Sequence, residues 1–120
     1  MFSRFVWMTL KPNAGPDFTN ALERQVVPIL RAQPGFRDEM VFVGPGAPEI
    51  LAVSLWDSRE NADKFGRAVF PELLNVLSPF IDGTPRIETY LLTYSTAHRI
   101  GLGSVPLEEP NTTPVAGVGG

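Results

Sequence analysis

Cysteine is absent and histidine occurs once, as His98. The first absence excludes a disulfide framework, thiolate metal sites and a cysteine nucleophile. The second excludes a multi-histidine metal centre. Charge of one sign is scarce as well. Lys and Arg number 10 and Asp and Glu 13, for a net charge of −3, and no run is basic enough to track a phosphate backbone. No apolar run approaches the ~20 residues needed to cross a bilayer. The apolar opening stretch, Met1 to Leu10, lacks a basic leader and a small-residue cleavage site. A soluble, cytoplasmic protein that binds neither nucleic acid nor membrane is the expectation. No nicotinamide or flavin fingerprint is present. Gly44 and Gly46 lie between two predicted strands, so they form no strand-to-helix phosphate cradle. No nucleophilic triad assembles around Ser54, Ser58 or Ser95.

What is present is a chain of 120 residues, 43% hydrophobic and 19% charged, which suits one globular domain. Proline and glycine cluster at Pro12–Pro16, Pro34–Gly35, Gly44–Pro48, Ser78–Pro79 and Asp82–Pro85. The segments between them have strand or helix length. Phe2 to Leu10 reads as a strand, rich in aromatic and branched residues. Asp17 to Ala32 reads as a helix, with Phe18, Leu22, Val26, Ile29 and Leu30 on one face. Pro28 predicts a kink or an early end. Phe36 to Val43 and Ile50 to Trp56 read as two strands joined by a hairpin loop. Asp57 or Ser58 caps a second helix. Its apolar stripe is Ala62, Phe65, Val69, Leu73, Val76, Leu77 and Phe80, and Pro71 predicts a break after Phe70. Ile87 to Ser95 reads as a fourth strand. The duplicated strand-helix-strand order predicts an α+β, ferredoxin-like domain: a four-stranded antiparallel sheet with helices on one face.

The strands are apolar on both faces. Phe5 and Trp7 oppose Val6, Met8 and Leu10. Leu51, Val53 and Leu55 oppose Ile50, Ala52 and Trp56, and Tyr90, Leu92 and Tyr94 oppose Ile87 and Leu91. Helices cover one face, and monomers avoid exposing a large apolar patch on the other. A homodimer through the sheet face is therefore expected, the bland alternative being that a small sheet simply tolerates the exposure. Residues 1–97 form the domain and 98–120 a Gly/Pro-rich tail. From Gly101 onward the tail has no aromatic and no basic residue, so it should be mobile or strapped onto a partner.

Pro34-Gly35-Phe36, and Ala52-Val53-Ser54-Leu55-Trp56-Asp57-Ser58 followed by Ala62 and Phe65, carry a resemblance. Over about residues 1 to 97 the chain resembles the antibiotic biosynthesis monooxygenase (ABM) domain of the dimeric α+β barrel superfamily. That group includes cofactor-free monooxygenases of polyketides or quinols, haem-degrading enzymes, isomerases and other members. The resemblance implies either a cofactor-independent monooxygenase of a small aromatic, quinol or polyketide substrate, or a non-catalytic ligand-binding or stress-associated dimer. No cofactor is implied in the first case, because the substrate supplies the electrons. Two departures stand out. Ala52 occupies the position where polyketide-oxidising members carry an asparagine. Pro71 to Asn75 lacks the histidine that ligates haem in haem-degrading members.

Trp56 stands where those polyketide-oxidising members place an active-site tryptophan. It could stack on a flat phenol and donate one hydrogen bond, or simply anchor the strand-to-helix corner. His98, just after the fourth strand, could be the general base that deprotonates a phenol, or an ordinary strand-end histidine. Trp56 and His98 are the catalytic candidates, provided both reach one cleft. Trp7, Met40, Phe65 and Tyr90 are the ligand-binding candidates, with the first three and Trp56 alternatively filling the cleft. Arg4 and Arg37 could meet an anionic substrate, though solubility explains them as well. An enzyme needs an open cavity of roughly 300 Å³ or more between helices and sheet.

Overall fold

The computed structural model describes residues 1–46 and 48–100. The tail expected beyond Gly101 lies outside the described residues. In chain order the elements are β1 (Phe2–Leu10), α1 (Gly15–Ala21), α2 (Val27–Arg31), β2 (Phe36–Val43), β3 (Glu49–Trp56), α3 (Arg59–Ala68), α4 (Phe70–Leu77) and β4 (Ile81–Leu91). The sheet order is β2-β3-β1-β4, antiparallel throughout. This is the ferredoxin-like α+β topology. No helix among the described residues is long and apolar enough to cross a membrane.

The prolines act on the helices in specific ways. Pro28 has no amide hydrogen, and its ring would clash with the carbonyl four residues back. The chain widens into a π turn over Leu22–Val26, where the Val27 N–H bonds the Leu22 carbonyl, five residues back. The helix thereby continues through the proline instead of ending at it. Pro71 sits in the first turn of α4, where its missing donor costs nothing. The break falls at Val69, slightly ahead of the expected position after Phe70. Ser58 is the cap of α3, its Oγ accepting from the Asn61 N–H at 3.2 Å.

The fourth strand differs from the expected Ile87 to Ser95: it begins at Ile81 and ends at Leu91. Asp82 to Pro85 looked like a breaker, yet it is carried inside the strand. Pairing with β1 slips between Trp7 and Thr9, and Gly83 takes up the irregularity with φ of 70°. An edge strand tolerates Pro85 because one side of it needs no donors.

The strand alternation separates two clusters. Val6, Met8, Ile50 and Trp56 meet Phe18, Leu30, Ala62, Phe65 and Leu73 from the helices. On the opposite face Met1, Val53 and Leu55 gather Phe5, Met40, Leu51 and Leu92, with no helix above them among the described residues. Phe42 and Tyr90 there are 54% and 53% exposed.

One irregularity matters most for the site. Phe36 faces Trp56, but Asp38 faces Leu55, so β2 holds an extra residue at Arg37. A single inserted residue reverses which way the following side chains point. Phe36 and Glu39 therefore both face the helices, and Asp38 and Met40 face the open side. Gly35 makes the bend into this strand with φ of 80°. Its carbonyl accepts from the Asp57 N–H at 2.8 Å, and a Cβ added there would lie 2.3 Å from Asp57 Oδ1. Gly35→Ala is therefore predicted to cost about 1–3 kcal/mol or more, from left-handed strain plus the clash. The check is a lower urea midpoint with an unchanged m-value.

Candidate active site

Trp56 ends β3 at the corner where the chain turns into α3. Its indole is fully buried. The ring packs on Phe65 with centroids 4.7 Å apart and meets Phe36 edge-on at 5.6 Å. Its Nε1–H donates to Ser54 Oγ at 2.9 Å. With no open face and its donor used, Trp56 cannot stack on a ligand. It fixes the Ser54 hydroxyl instead.

Ser54 lies in the middle of a polar row. The register sets Arg4 of β1 on one side of it and Glu39 of β2 on the other. All three face the helices and line a cavity of about 50 Å³, otherwise walled by apolar side chains including Leu22, Val26, Phe65, Phe70 and Leu73. That volume falls well short of the ~300 Å³ of a site that engulfs a substrate. The cavity admits a head group, with Phe65, Phe70 and Leu74 among its walls. A groove of about 750 Å³ adjoins it on the side of β2 and α2, sharing Leu22 and Glu39 and lined also by Arg31, Arg37 and Asp38. Glu39 thus stands at the throat between groove and cavity.

The two ionisable groups of the row are both perturbed. Burial, reinforced by the neighbouring Asp38 carboxylate, pushes the Glu39 carboxyl from an ordinary 4.5 up to about 8. Burial pulls the Arg4 guanidinium below its usual value, with Asp63 acting in the opposite direction. Arg4 is 7% exposed. Its guanidinium carbon lies 5.5 Å from the Phe65 ring centroid and 4.9 Å from that of Phe70.

His98 lies on the other side of the sheet. Its Nε2 is 2.8 Å from Asp38 Oδ2, and the Ser95 Oγ accepts from the His98 backbone N–H at 3.0 Å. It borders an open-face hollow of about 270 Å³ with Phe5, Met40, Val53, Leu55 and Tyr94. The expectation that Trp56 and His98 share one cleft is therefore corrected: strand alternation sends Trp56 to the helices and the His98 segment to the opposite face. The ligand-binding candidates divide likewise. Phe65 lines the cavity. Met40 borders the open-face hollow. Trp7 and Tyr90 both sit near Phe5 on that open face, Tyr90 edge-on to it at 5.1 Å and Trp7 beneath the Arg86 guanidinium at 3.8 Å. Trp7 and Met40 accordingly do not fill the cleft.

Arg4 and Glu39 are the residues that the candidate pair omitted. Arg4 carried a legible signal: a charge at the same strand parity as Val6 and Met8. Glu39 carried none, because only the bulge turns it inward. Among the described residues no cluster of acidic and histidine side chains could hold a metal ion.

The half-buried Glu39 carboxyl makes stability depend on pH. Between 4.5 and about 8 the folded state holds a proton that the unfolded state has released. Its contribution is complete below 4.5 and lost as pH rises through about 8, at up to ~1.4 kcal/mol per unit. Glu39→Gln is predicted to remove this slope. The variant gains on the parent as pH rises across that window, as read by urea midpoints.

No family model matches the sequence, and no curated protein matches it either. Solved structures do match in shape. An antibiotic biosynthesis monooxygenase-type protein of Bordetella bronchiseptica has a TM-score of 0.66 at 17% identity, covering 78% of this chain and 97% of its own. The cofactor-independent oxygenase SnoaB of Streptomyces nogalater has a TM-score of 0.64 at 11% identity, covering 81% and 97%. A similar Nitrosomonas europaea protein has 0.64 at 14%, covering 78% and 100%. At these identities the likeness concerns the fold, and on that ground the chain has the ABM-like ferredoxin fold.

Proposed function

We propose that the chain is a cofactor-independent monooxygenase of a small, electron-rich aromatic, quinol or polyketide substrate. The observation that carries this reading is the Glu39–Ser54–Arg4 row on the cavity between helices and sheet. A substrate that reduces oxygen directly must first lose a proton, because its anion gives up an electron far more readily than the neutral molecule. Glu39 takes the role first considered for His98. A carboxyl with a pKa of about 8 is a much stronger base than an ordinary one once ionised. Arg4 then faces the anion that forms. Ser54, held by Trp56, has its own O–H free to orient a substrate oxygen. For an activated methylene the reaction balances without any external reductant: R₂CH₂ + O₂ gives R₂C=O + H₂O. One end of the substrate enters the cavity, the reacting carbon lies at the throat beside Glu39, and the rest lies in the groove. The likeness to SnoaB supports the reaction class.

A second copy of the chain completes this reading, covering the open face with its exposed Phe42 and Tyr90. Met40→Glu, central on that face, should then give a monomer by light scattering where the parent is a dimer. A monomeric parent at micromolar concentration contradicts this.

The small cavity favours a second reading, a non-catalytic ligand-binding dimer of the same fold. Oxygen uptake with a panel of hydroquinones and anthrones, without added cofactor, separates the two. The enzyme reading predicts uptake that climbs toward an apparent pKa near 8. It also predicts a fall of ~10²–10⁴ in Glu39→Gln and little change in His98→Ala. Absence of uptake across the panel supports the binding reading.

A further inference from the structure

Arg4 stands out energetically. Enclosing a charged side chain without a partner costs several kcal/mol. The usual remedy, a carboxylate in contact, is missing: among the described residues no acidic oxygen lies within 4.0 Å of its nitrogens. Among the described residues its buried Nε has no hydrogen-bond partner. Two aromatic rings attract the guanidinium carbon from 4.9 and 5.5 Å, which offsets part of the charge's cost but leaves the Nε–H unmet.

The surroundings are shaped to keep it there. Gly66 of α3 lies alongside, and a Cβ at that position would stand 2.7 Å from Arg4 Nη1. A glycine inside a helix costs about 1 kcal/mol relative to alanine. Here that cost accompanies the room which the guanidinium occupies.

We propose that Arg4 binds an anionic oxygen group, and that the ligand of this cavity is an organic acid whose carboxylate enters the cavity head first. The proposal rests on the cavity being the ligand site of the proposed function and names the chemical class that enters it. A carboxylate presents two oxygens to the planar fork of a guanidinium, the geometry in which such pairs are strongest. A cavity of about 50 Å³ has room for such a head group and little else. The rest of the cavity wall favours an anion. Glu39 is uncharged at neutral pH, so Arg4 is the charged group of the wall, and Asp63 lies outside it. The groove leading in carries Arg31 and Arg37 against Asp38, which draws an acid toward the throat.

The test measures binding and not turnover. The Arg4 Nε–H resonance of the full-length chain is followed by NMR while acetate or a longer carboxylate is added, with the matching neutral amides as controls. A saturable shift with the acids and none with the amides is expected. Arg4→Met should abolish saturable binding, followed in that variant through the Trp56 indole N–H. Gly66→Ala keeps the charge and improves helix propensity while its Cβ crowds Nη1. It should retain thermal stability and weaken binding roughly tenfold or more, the loss of one charge-assisted hydrogen bond. An Arg4 Nε–H that ignores the acids, or that answers amides equally, overturns the proposal. So does acid binding that survives unchanged in Gly66→Ala and Arg4→Met. Oxygen uptake on neutral substrates without acid binding would sink this inference and leave the monooxygenase reading standing. Acid binding without oxygen uptake would do the reverse.

Discussion

The extra residue at Arg37 in β2 is the constraint on which the site depends. Without it, strand alternation from Phe36 would send Asp38 to the helices and Glu39 to the open face. With it, Phe36 keeps its place against Trp56 and a carboxyl group enters an apolar cavity. The same shift turns Asp38 outward, where it meets His98. One backbone irregularity thus decides which of two adjacent acids is enclosed and which is paired. Gly35 permits it, since its left-handed φ of 80° starts the strand at the required angle.

Around that constraint the fold divides labour between the faces of one sheet. On the helix side the corner indole of Trp56 holds Ser54 at 2.9 Å, and Ser54 lies between a carboxyl and a guanidinium on neighbouring strands. Low polarity then acts on both ends of the row, raising Glu39 and lowering Arg4 in pKa. Opposite shifts of a carboxyl and a guanidinium lining one cavity are the pattern on which the proposed ligand site rests. On the open side the apolar surface carries no helix. Its polar features, Arg86 over Trp7 and the His98–Asp38 contact, lie where a second copy would cover them.

Much of the fold was legible because it rests on local chemistry. β2 was readable to the residue from the Pro34-Gly35 and Gly44 breaks that flank it, and the two-faced strands from period-2 alternation. The ferredoxin-like order followed from the duplicated pattern. The proline and glycine signals were harder. Pro28 was absorbed by a π turn, and Asp82 to Pro85 by an edge-strand irregularity, because tertiary packing tolerates a lost donor where nothing needs it. The site was less legible than the fold. Of the two roles the sequence offers Trp56, stacking on a ligand or anchoring the strand-to-helix corner, complete burial leaves the anchor. His98 drew attention as a lone titratable group near neutrality, yet sequence gives no indication of the face on which a segment after the last strand comes to rest. Arg4 is legible as a charge within an apolar strand, though strand parity was needed to prefer it over Arg37. Glu39 is not, since a bulge leaves no mark in the pattern of residue types.

The central claim is that Glu39 is a half-buried carboxyl facing the cavity. A carbon-13 NMR titration of its side-chain carboxyl, assigned by comparison with Glu39→Gln, tests this directly. The account predicts a midpoint near 8. A midpoint near the ordinary 4.5 would place the group in water and contradict the inward turn of β2.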